Sequence, residues 1–339
     1  MKAIVYVPKE EEESFFGPFY EFVVDDSITD IDFNGSELWI SDCKNNRMKV
    51  NACVESLFLE QFSKKVSNLV SRSFNKQNPV LEAETDSLRI TVVHESVANT
   101  GRCICIRKSP PYIRMSRKSM VEEGYASAEV IDLLAKCVED HKNIVFCGEP
   151  GVGKTECAKF FSSFIKPNER VITIEDTLEW HYSSIYEGRD CVELKISEQM
   201  DYTQAIKTCL RLNPKWMMLS EARSTEVIYL IQSFSTGVKG LTTLHSDDVR
   251  RIPDRMINMA GGKKDAQRFE NDIYSFVDVG VLISKTRATD LEGREYTKRY
   301  IDQICFFDRK DGKNIVNMVM DEGRLLENAD APRLVRKNQ

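Results

Sequence analysis

The chain opens in short apolar and polar steps. Ile28 to Phe33, Glu37 to Ile40 and Arg47 to Val50 read as strands, with Asn34-Gly35 as the turn after the first. The period then lengthens. Phe58, Phe62, Val66, Leu69, Val70 and Phe74 fall on one stripe, which predicts an amphipathic helix of about five turns. Ser87 to His94 and Arg102 to Lys108 return to the strand period. Ser109-Pro110-Pro111 then breaks regular structure. These pieces predict a small α/β domain over residues 1–108 and a linker over 109–124.

From 125 on, strands and helices take turns. Ser127 to His141 is apolar at Val130, Ile131, Leu134, Cys137 and Val138, a helical spacing. Asn143 to Cys147 reads as a buried strand, and Glu156 to Ile165 as a helix carrying Cys157, Phe160, Phe161, Phe164 and Ile165 on its apolar side. Strands follow at Arg170 to Glu175, Lys215 to Leu219 and Gly240 to Leu244. Helices lie between them at Tyr202 to Leu212 and Ser224 to Ser235, the second closed by Gly237. Phe276 to Ser284 and Tyr300 to Phe306 add later strands, and the charged tail from about Glu327 is expected to fray. Such alternation predicts a mainly parallel sheet with helices on both faces. In such sheets, ligands sit beyond the carboxyl ends of the strands.

Length agrees with two domains: 339 residues exceed one ordinary core. No apolar run approaches the roughly 18–20 residues of a membrane helix. Met1 to Pro8 is too short for a secretion signal and runs into acids at 10–13. The ten cysteines are scattered without a C-x-x-C, which fits reduced thiols in a cytoplasm, many of them core fillers. A net charge of −6 argues against a general nucleic-acid coat.

The chemistry concentrates after the Asn143 strand. Gly148-Glu149-Pro150-Gly151-Val152-Gly153-Lys154-Thr155 is a phosphate-binding loop, G-x-x-x-x-G-K-[ST], set between a strand and a helix. The glycines let the backbone curl until its N–H groups point inward at phosphate, and the following helix, with Glu156 in its first turn, adds partial positive charge. Lys154 reaches the β- and γ-phosphates, and the Thr155 hydroxyl ligates Mg²⁺. A phosphate cradle alone does not hydrolyse ATP; a positioned water and further charge are needed. Three apolar strands supply candidates at their ends. One ends in Glu175-Asp176 with Glu179 close behind, one in Ser220-Glu221-Ala222-Arg223, and one in His245. A carboxylate after a strand is ordinarily a helix cap or a turn. Three such ends after a phosphate loop make a joint pattern.

That pattern resembles the secretion-ATPase superfamily, the hexameric motors of type II and type IV secretion, type IV pili and Tad pili. The family's four boxes occur in order: Walker A at Gly148–Thr155, an aspartate box at Thr173–Glu179, a Walker B at Met217–Arg223 and a histidine box at Gly237–His245. Ile28–Gly35 and Cys105–Lys108 resemble the start and last strand of its N-terminal domain. Within the superfamily, the Tad and type IV secretion branch is the most similar. Two positions depart from it: Ser220 stands where Gly is usual before the Walker B glutamate, and Val238 replaces the first histidine of the histidine box.

The resemblance implies a RecA-like P-loop ATPase domain over 125–339 behind the smaller α/β domain, with ATP and Mg²⁺ as cofactors. It implies a homo-hexamer at the cytoplasmic face of the membrane, partnered by inner-membrane components of a secretion or pilus machine rather than by specific nucleic acid. Glu221 and one of Glu175, Asp176 or Glu179 would orient or deprotonate the attacking water, directly or through Mg²⁺, with Thr155, Asp176 and Glu221 as metal candidates. His245 would either sense the γ-phosphate or link neighbouring strands. Arg107 and Arg89 from the first domain, and Arg211 and Arg223 from the second, are the candidates to close over the nucleotide. The rival readings are a nucleic-acid-translocating RecA-like motor and a nucleotide-gated scaffold with little turnover.

Overall fold

The computed structural model describes residues 6–44, 46–262, 265–289, 293 and 295–326. The chain forms two compact units, one of residues 1–111 with 287–297, the other of 112–286 with 298–339.

In the first unit, α1 (Lys9–Phe16) and α2 (Tyr20–Val24) precede β1 (Ile28–Phe33), β2 (Leu38–Asp42) and β3 (Arg47–Val50). Then come α3 (Ser56–Leu69), β4 (Val80–Glu84), β5 (Leu88–Val93) and β6 (Cys103–Lys108). The strands form one antiparallel sheet in the order β3-β2-β1-β6-β5-β4. Ile31, Phe33, Ile90, Val92, Ile104 and Ile106 alternate with less buried neighbours and share one core with Phe15, Phe16, Phe62 and Val66 of α1 and α3. α3 is shorter than its apolar stripe. It ends at Leu69, and Ser71 takes a left-handed φ of 51°, yet Phe74 beyond the turn still packs against the same core.

The second unit begins inside the expected linker. Residues Arg117–Glu122 form α4, capped by the Ser116 hydroxyl, which accepts the Ser119 N–H. After it run α5 (Ala128–Glu139), β7 (Ile144–Cys147), α6 (Lys154–Ser162), β8 (Val171–Glu175), α7 (Tyr182–Ile185), β9 (Cys191–Lys195) and α8 (Tyr202–Cys209). The rest is β10 (Trp216–Leu219), α9 (Glu226–Ser235), β11 (Lys239–Leu244), α10 (Ile252–Met259), α11 (Ala266–Phe276), β12 (Val279–Thr289), β13 (Glu295–Lys310), β14 (Lys313–Asp321) and β15 (Arg324–Leu325), residues 287–289 of β12 and 295–297 of β13 belonging to the first unit. The nine strands from β7 onward form one sheet, ordered β15-β14-β13-β12-β7-β11-β10-β8-β9. From β12 to β9 all pairs are parallel, as expected; β13, β14 and β15 add antiparallel pairs at one edge.

Alternate residues of these strands feed two cores. Ile144, Phe146, Trp216, Met218 and Val281 pack on one face with α5 and α6. Val145, Ile172, Met217, Leu219 and Leu282 pack on the other with α8, α9, α10 and α11. This is the two-sided burial that makes parallel strands read as continuous apolar runs. The strand expected from Phe276 starts three residues later, because Phe276 still completes α11.

None of the ten cysteines, all of them described, forms a disulfide. Cys137, Cys147, Cys157, Cys209 and Cys305 are buried in the second unit, and Cys43 and Cys53 are exposed in the first. Among the described residues no helix is long and apolar enough to cross a membrane. The expected frayed tail from Glu327 lies outside the described residues.

Candidate active site

Parallel register gathers the site. Leu244 pairs with Cys147, Leu219 with Thr242, and Ile174 with Leu219. The residues that follow each strand therefore emerge at one edge of the sheet: the phosphate loop after β7, His245 after β11, Glu221 after β10 and Asp176 after β8. Hydrophobic strands set the positions, and the polar chemistry stands where they end.

The loop has the required backbone. Gly148, Gly151 and Gly153 take φ of 147°, 74° and 88°, which side chains rarely adopt. Gly148 has a second reason to lack a side chain: a Cβ there would meet Ile283 O of β12 at 2.4 Å. Val152 is buried in the core and anchors the loop, while Glu149, Pro150 and Gly151 are exposed. Gly153 leads directly into α6, so the helix N-terminus faces the loop.

Lys154 is 8% exposed, and its Nζ donates to Gly148 O at 3.2 Å and Glu149 O at 3.1 Å. Burial lowers its pKa, and the Glu221 carboxylate opposes that shift. His245 Nδ1 lies 3.1 Å from both Lys154 Nζ and Gly148 O. On its other side, Nε2 approaches Glu221 Oε1 to 2.7 Å, off the line of a hydrogen bond, so that buried oxygen keeps its accepting capacity. Glu221 Oε2 accepts Arg223 Nε at 2.6 Å, and Arg223 Nη1 reaches Asp176 Oδ2 at 2.8 Å. Burial alone would lower the Arg223 pKa; the two carboxylates outweigh it and raise it. Lys154, His245, Glu221, Arg223 and Asp176 thus form one polar chain along the strand ends.

The three neighbouring acids of the aspartate box have different surroundings. Glu175 is 2% exposed, and its Oε2 accepts the N–H groups of Glu179 at 2.8 Å and Trp180 at 3.1 Å. Burial pushes its carboxyl up to about 8. Asp176 faces Arg223. Burial, the largest effect, raises the pKa of Glu179; the Thr155 hydroxyl stands near enough to lower it, and Asp176, Glu156 and Glu221 add to the rise. Glu179 is thus the aspartate-box acid beside Thr155 of the phosphate loop.

The loop holding Glu221 is pinned from below. The buried Thr243 hydroxyl donates to Ser220 O at 2.7 Å, and Ala222 N donates to Thr243 O at 2.8 Å. Buried Glu226 accepts the N–H groups of Arg223 at 2.6 Å and Ser224 at 2.8 Å. Arg255 Nε donates to His245 O at 3.0 Å and fixes the histidine's backbone. Val238 packs in the core below α9.

Other candidates stand elsewhere. Glu156 lies 3.3 Å from Lys159 Nζ on the same helix. Arg211 follows α8 at the amino ends of the strands, where Arg170 Nη1 donates to Leu212 O. The structure therefore does not bring Arg211 to the phosphate loop of its own unit. Arg107 and Arg89 belong to the first unit and face each other in the β5–β6 register; Arg107 Nε bonds Asp30 at 2.7 Å, and Arg89 lies 4.0 Å from Glu82. Sequence reasoning missed Thr243, Glu226, Arg255, Lys285 and Arg299. The last two contact the phosphate loop from β12 and β13.

A glycine loop between a buried strand and a helix, beside the polar ends of parallel neighbours, defines a P-loop α/β protein. Among the described residues no three His, Cys, Asp or Glu side chains form a metal cage. The chain belongs to the family of type II/IV secretion system proteins, whose model matches residues 75–293. It is 30% identical over 285 residues to an uncharacterised protein of Bacillus anthracis, covering 82% of this chain and 64% of that one. It is 27% identical over 191 residues to the type IV secretion system protein VirB11 of Bartonella quintana, covering 53% of this chain and 51% of that one. The chain thus spans less than two thirds of either relative. The Legionella pneumophila ATPase DotB shares the fold at 17% identity with a TM-score of 0.61, over 88% of this chain and 82% of that one.

Proposed function

We propose that this chain binds MgATP at the phosphate loop, hydrolyses it, and serves as one subunit of a hexameric motor. The motor would drive a secretion or pilus machine from the cytoplasmic face of the membrane. The observation that carries the reading is the polar chain from Lys154 to Asp176 laid beside the phosphate loop. Family membership supports the secretion role, and the likeness to VirB11 supports the type IV side of it.

The residues divide the work. Lys154 and the loop N–H groups neutralise phosphate charge. Glu221, whose Oε1 accepts no hydrogen bond among the described residues, orients the attacking water and takes its proton as the bond to the γ-phosphorus forms and ADP leaves. His245 links that carboxylate to the loop, and Arg223 holds Glu221 and Asp176 apart in fixed places. The donor set fits Mg²⁺, a hard cation that needs only one or two protein oxygens when phosphates and water supply the rest. The Thr155 hydroxyl and Glu179 would hold it, and it would supply charge neutralisation between the phosphates. Arg107, or Arg89 across the β5–β6 register, would close over the γ-phosphate from the first domain.

Phosphate release from ATP and sedimentation with and without MgATP test the proposal. Wild type should turn over ATP and assemble into rings favoured by nucleotide, and Lys154→Ala should abolish turnover while keeping its melting curve. Unchanged turnover in Lys154→Ala would remove the site assignment. A strict monomer at micromolar concentration with saturating nucleotide would remove the ring.

A further inference from the structure

Glu149 is out of place electrostatically. It is the second residue of a loop whose N–H groups and lysine serve to attract phosphate, and its carboxylate adds a full negative charge at that mouth. Its backbone oxygen accepts Lys154 Nζ at 3.1 Å, which sets the residue's main chain beside the phosphate-binding lysine. Its side chain is 67% exposed, so packing gives no reason for it. An anion so placed opposes the approach of another anion.

The opposing charge comes from a distant strand. Lys285 Nζ lies 3.3 Å from Glu149 Oε2. Lys285 follows Ile283 by two residues on β12, and the carbonyl of Ile283 is the backbone oxygen pressed against Gly148. That close fit fixes β12 against the loop and so fixes where the lysine is presented. Arg299 Nε, on β13, donates to Gly151 O at 3.4 Å, a second cation along the same loop.

We propose that Lys285 is a charge-compensating residue for nucleotide binding, cancelling Glu149 so that the loop mouth stays attractive to a triphosphate. The proposal rests on the reading of this loop as an ATP site. ATP carries more negative charge than ADP, so the lysine contributes more to ATP affinity. Both side chains are solvated, and the effect is correspondingly moderate and falls with salt.

A fluorescent ATP analogue, with ATP and ADP as competitors, measures this in the full chain. Lys285→Ala should weaken ATP roughly fivefold and ADP less, at low salt, with an unchanged melting curve. Glu149→Gln placed in the Lys285→Ala background should restore wild-type ATP affinity, because the charge needing compensation is gone. Wild-type affinity in Lys285→Ala, or a double variant as weak as Lys285→Ala, overturns the proposal and leaves a surface ion pair. Lys154→Ala separates the two levels. If it loses nucleotide while Lys285→Ala does not, only the compensation fails; if wild type binds no nucleotide, the ATP reading fails and takes the proposal with it.

Discussion

Replacing Glu175 by Gln tests whether this acid holds the loop or does chemistry. Its Oε2 already accepts two loop N–H groups, and its Oε1 is buried with no hydrogen-bond partner among the described residues. Burial is the main cause of a carboxyl pKa pushed up to about 8 from 4.5; the two N–H bonds oppose it, and Glu179 and Glu193 add to it. The folded protein therefore binds this proton more tightly than the unfolded chain does. The stabilisation is complete below about pH 4.5 and is lost as pH rises through about 8. With those two values, the group removes roughly 2 kcal/mol of folding stability between about pH 6 and about pH 8. Glutamine keeps an accepting oxygen for the two N–H groups and cannot ionise. Urea unfolding of both proteins across this range should show the variant gaining on wild type by that amount. ATP turnover near neutral pH should be largely kept. Parallel stability curves would refute the burial argument, and a hundredfold loss of turnover would make Glu175 a catalytic group.

Glu221→Gln should bind MgATP and hydrolyse it about 10²-fold more slowly, since the amide keeps the shape and loses the base; a wild-type kcat would move that role to the aspartate box. Glu179→Gln should raise the Mg²⁺ concentration needed for half-maximal turnover well above that of Asp176→Asn, and equal shifts would undo the assignment of Glu179 beside Thr155. Arg107→Ala should weaken an ATP analogue while sparing ADP, because only a contact that differs between the two can bias closure. If both affinities fall equally, or neither falls, Arg89 becomes the better candidate.

The positions of the strand ends were legible because they depend on few things. A buried apolar strand, a phosphate loop and parallel order suffice to bring His245, Glu221 and Asp176 to one edge. The identity of the working acid was not legible, because Glu175, Asp176 and Glu179 lie within one short loop. A usable signal was the strand period. Glu175 is in phase with Val171 and Thr173 on β8, and Val171 faces the α5–α6 core, so the strand carries Glu175 inward. Lys285 and Arg299 carry no local motif. Their place depends on β12 pairing with β7, some 135 residues earlier in the chain, a register that no short window contains. β9 was missed for a different reason: it is an edge strand of half-buried residues without clear alternation. α10 and α11 were missed although Ile252, Met256 and Ile273 give them a buried face, because few apolar residues mark each turn.

The distribution of thiols makes this protein selectively labelable as it stands. A thiolate is the species that reacts with an alkylating dye, and burial suppresses it. The buried cysteines of the second unit, and half-buried Cys191 with them, are shielded in this way; Cys157, Cys191 and Cys209 are pushed up to about 12, and Cys147 well above its ordinary value. Exposed Cys43 and Cys53 both belong to the first unit. A maleimide fluorophore at neutral pH should therefore mark that unit alone, with no engineered site and no change near the phosphate loop. Its anisotropy or quenching would then follow the first unit through a cycle of nucleotide binding and release in otherwise native protein.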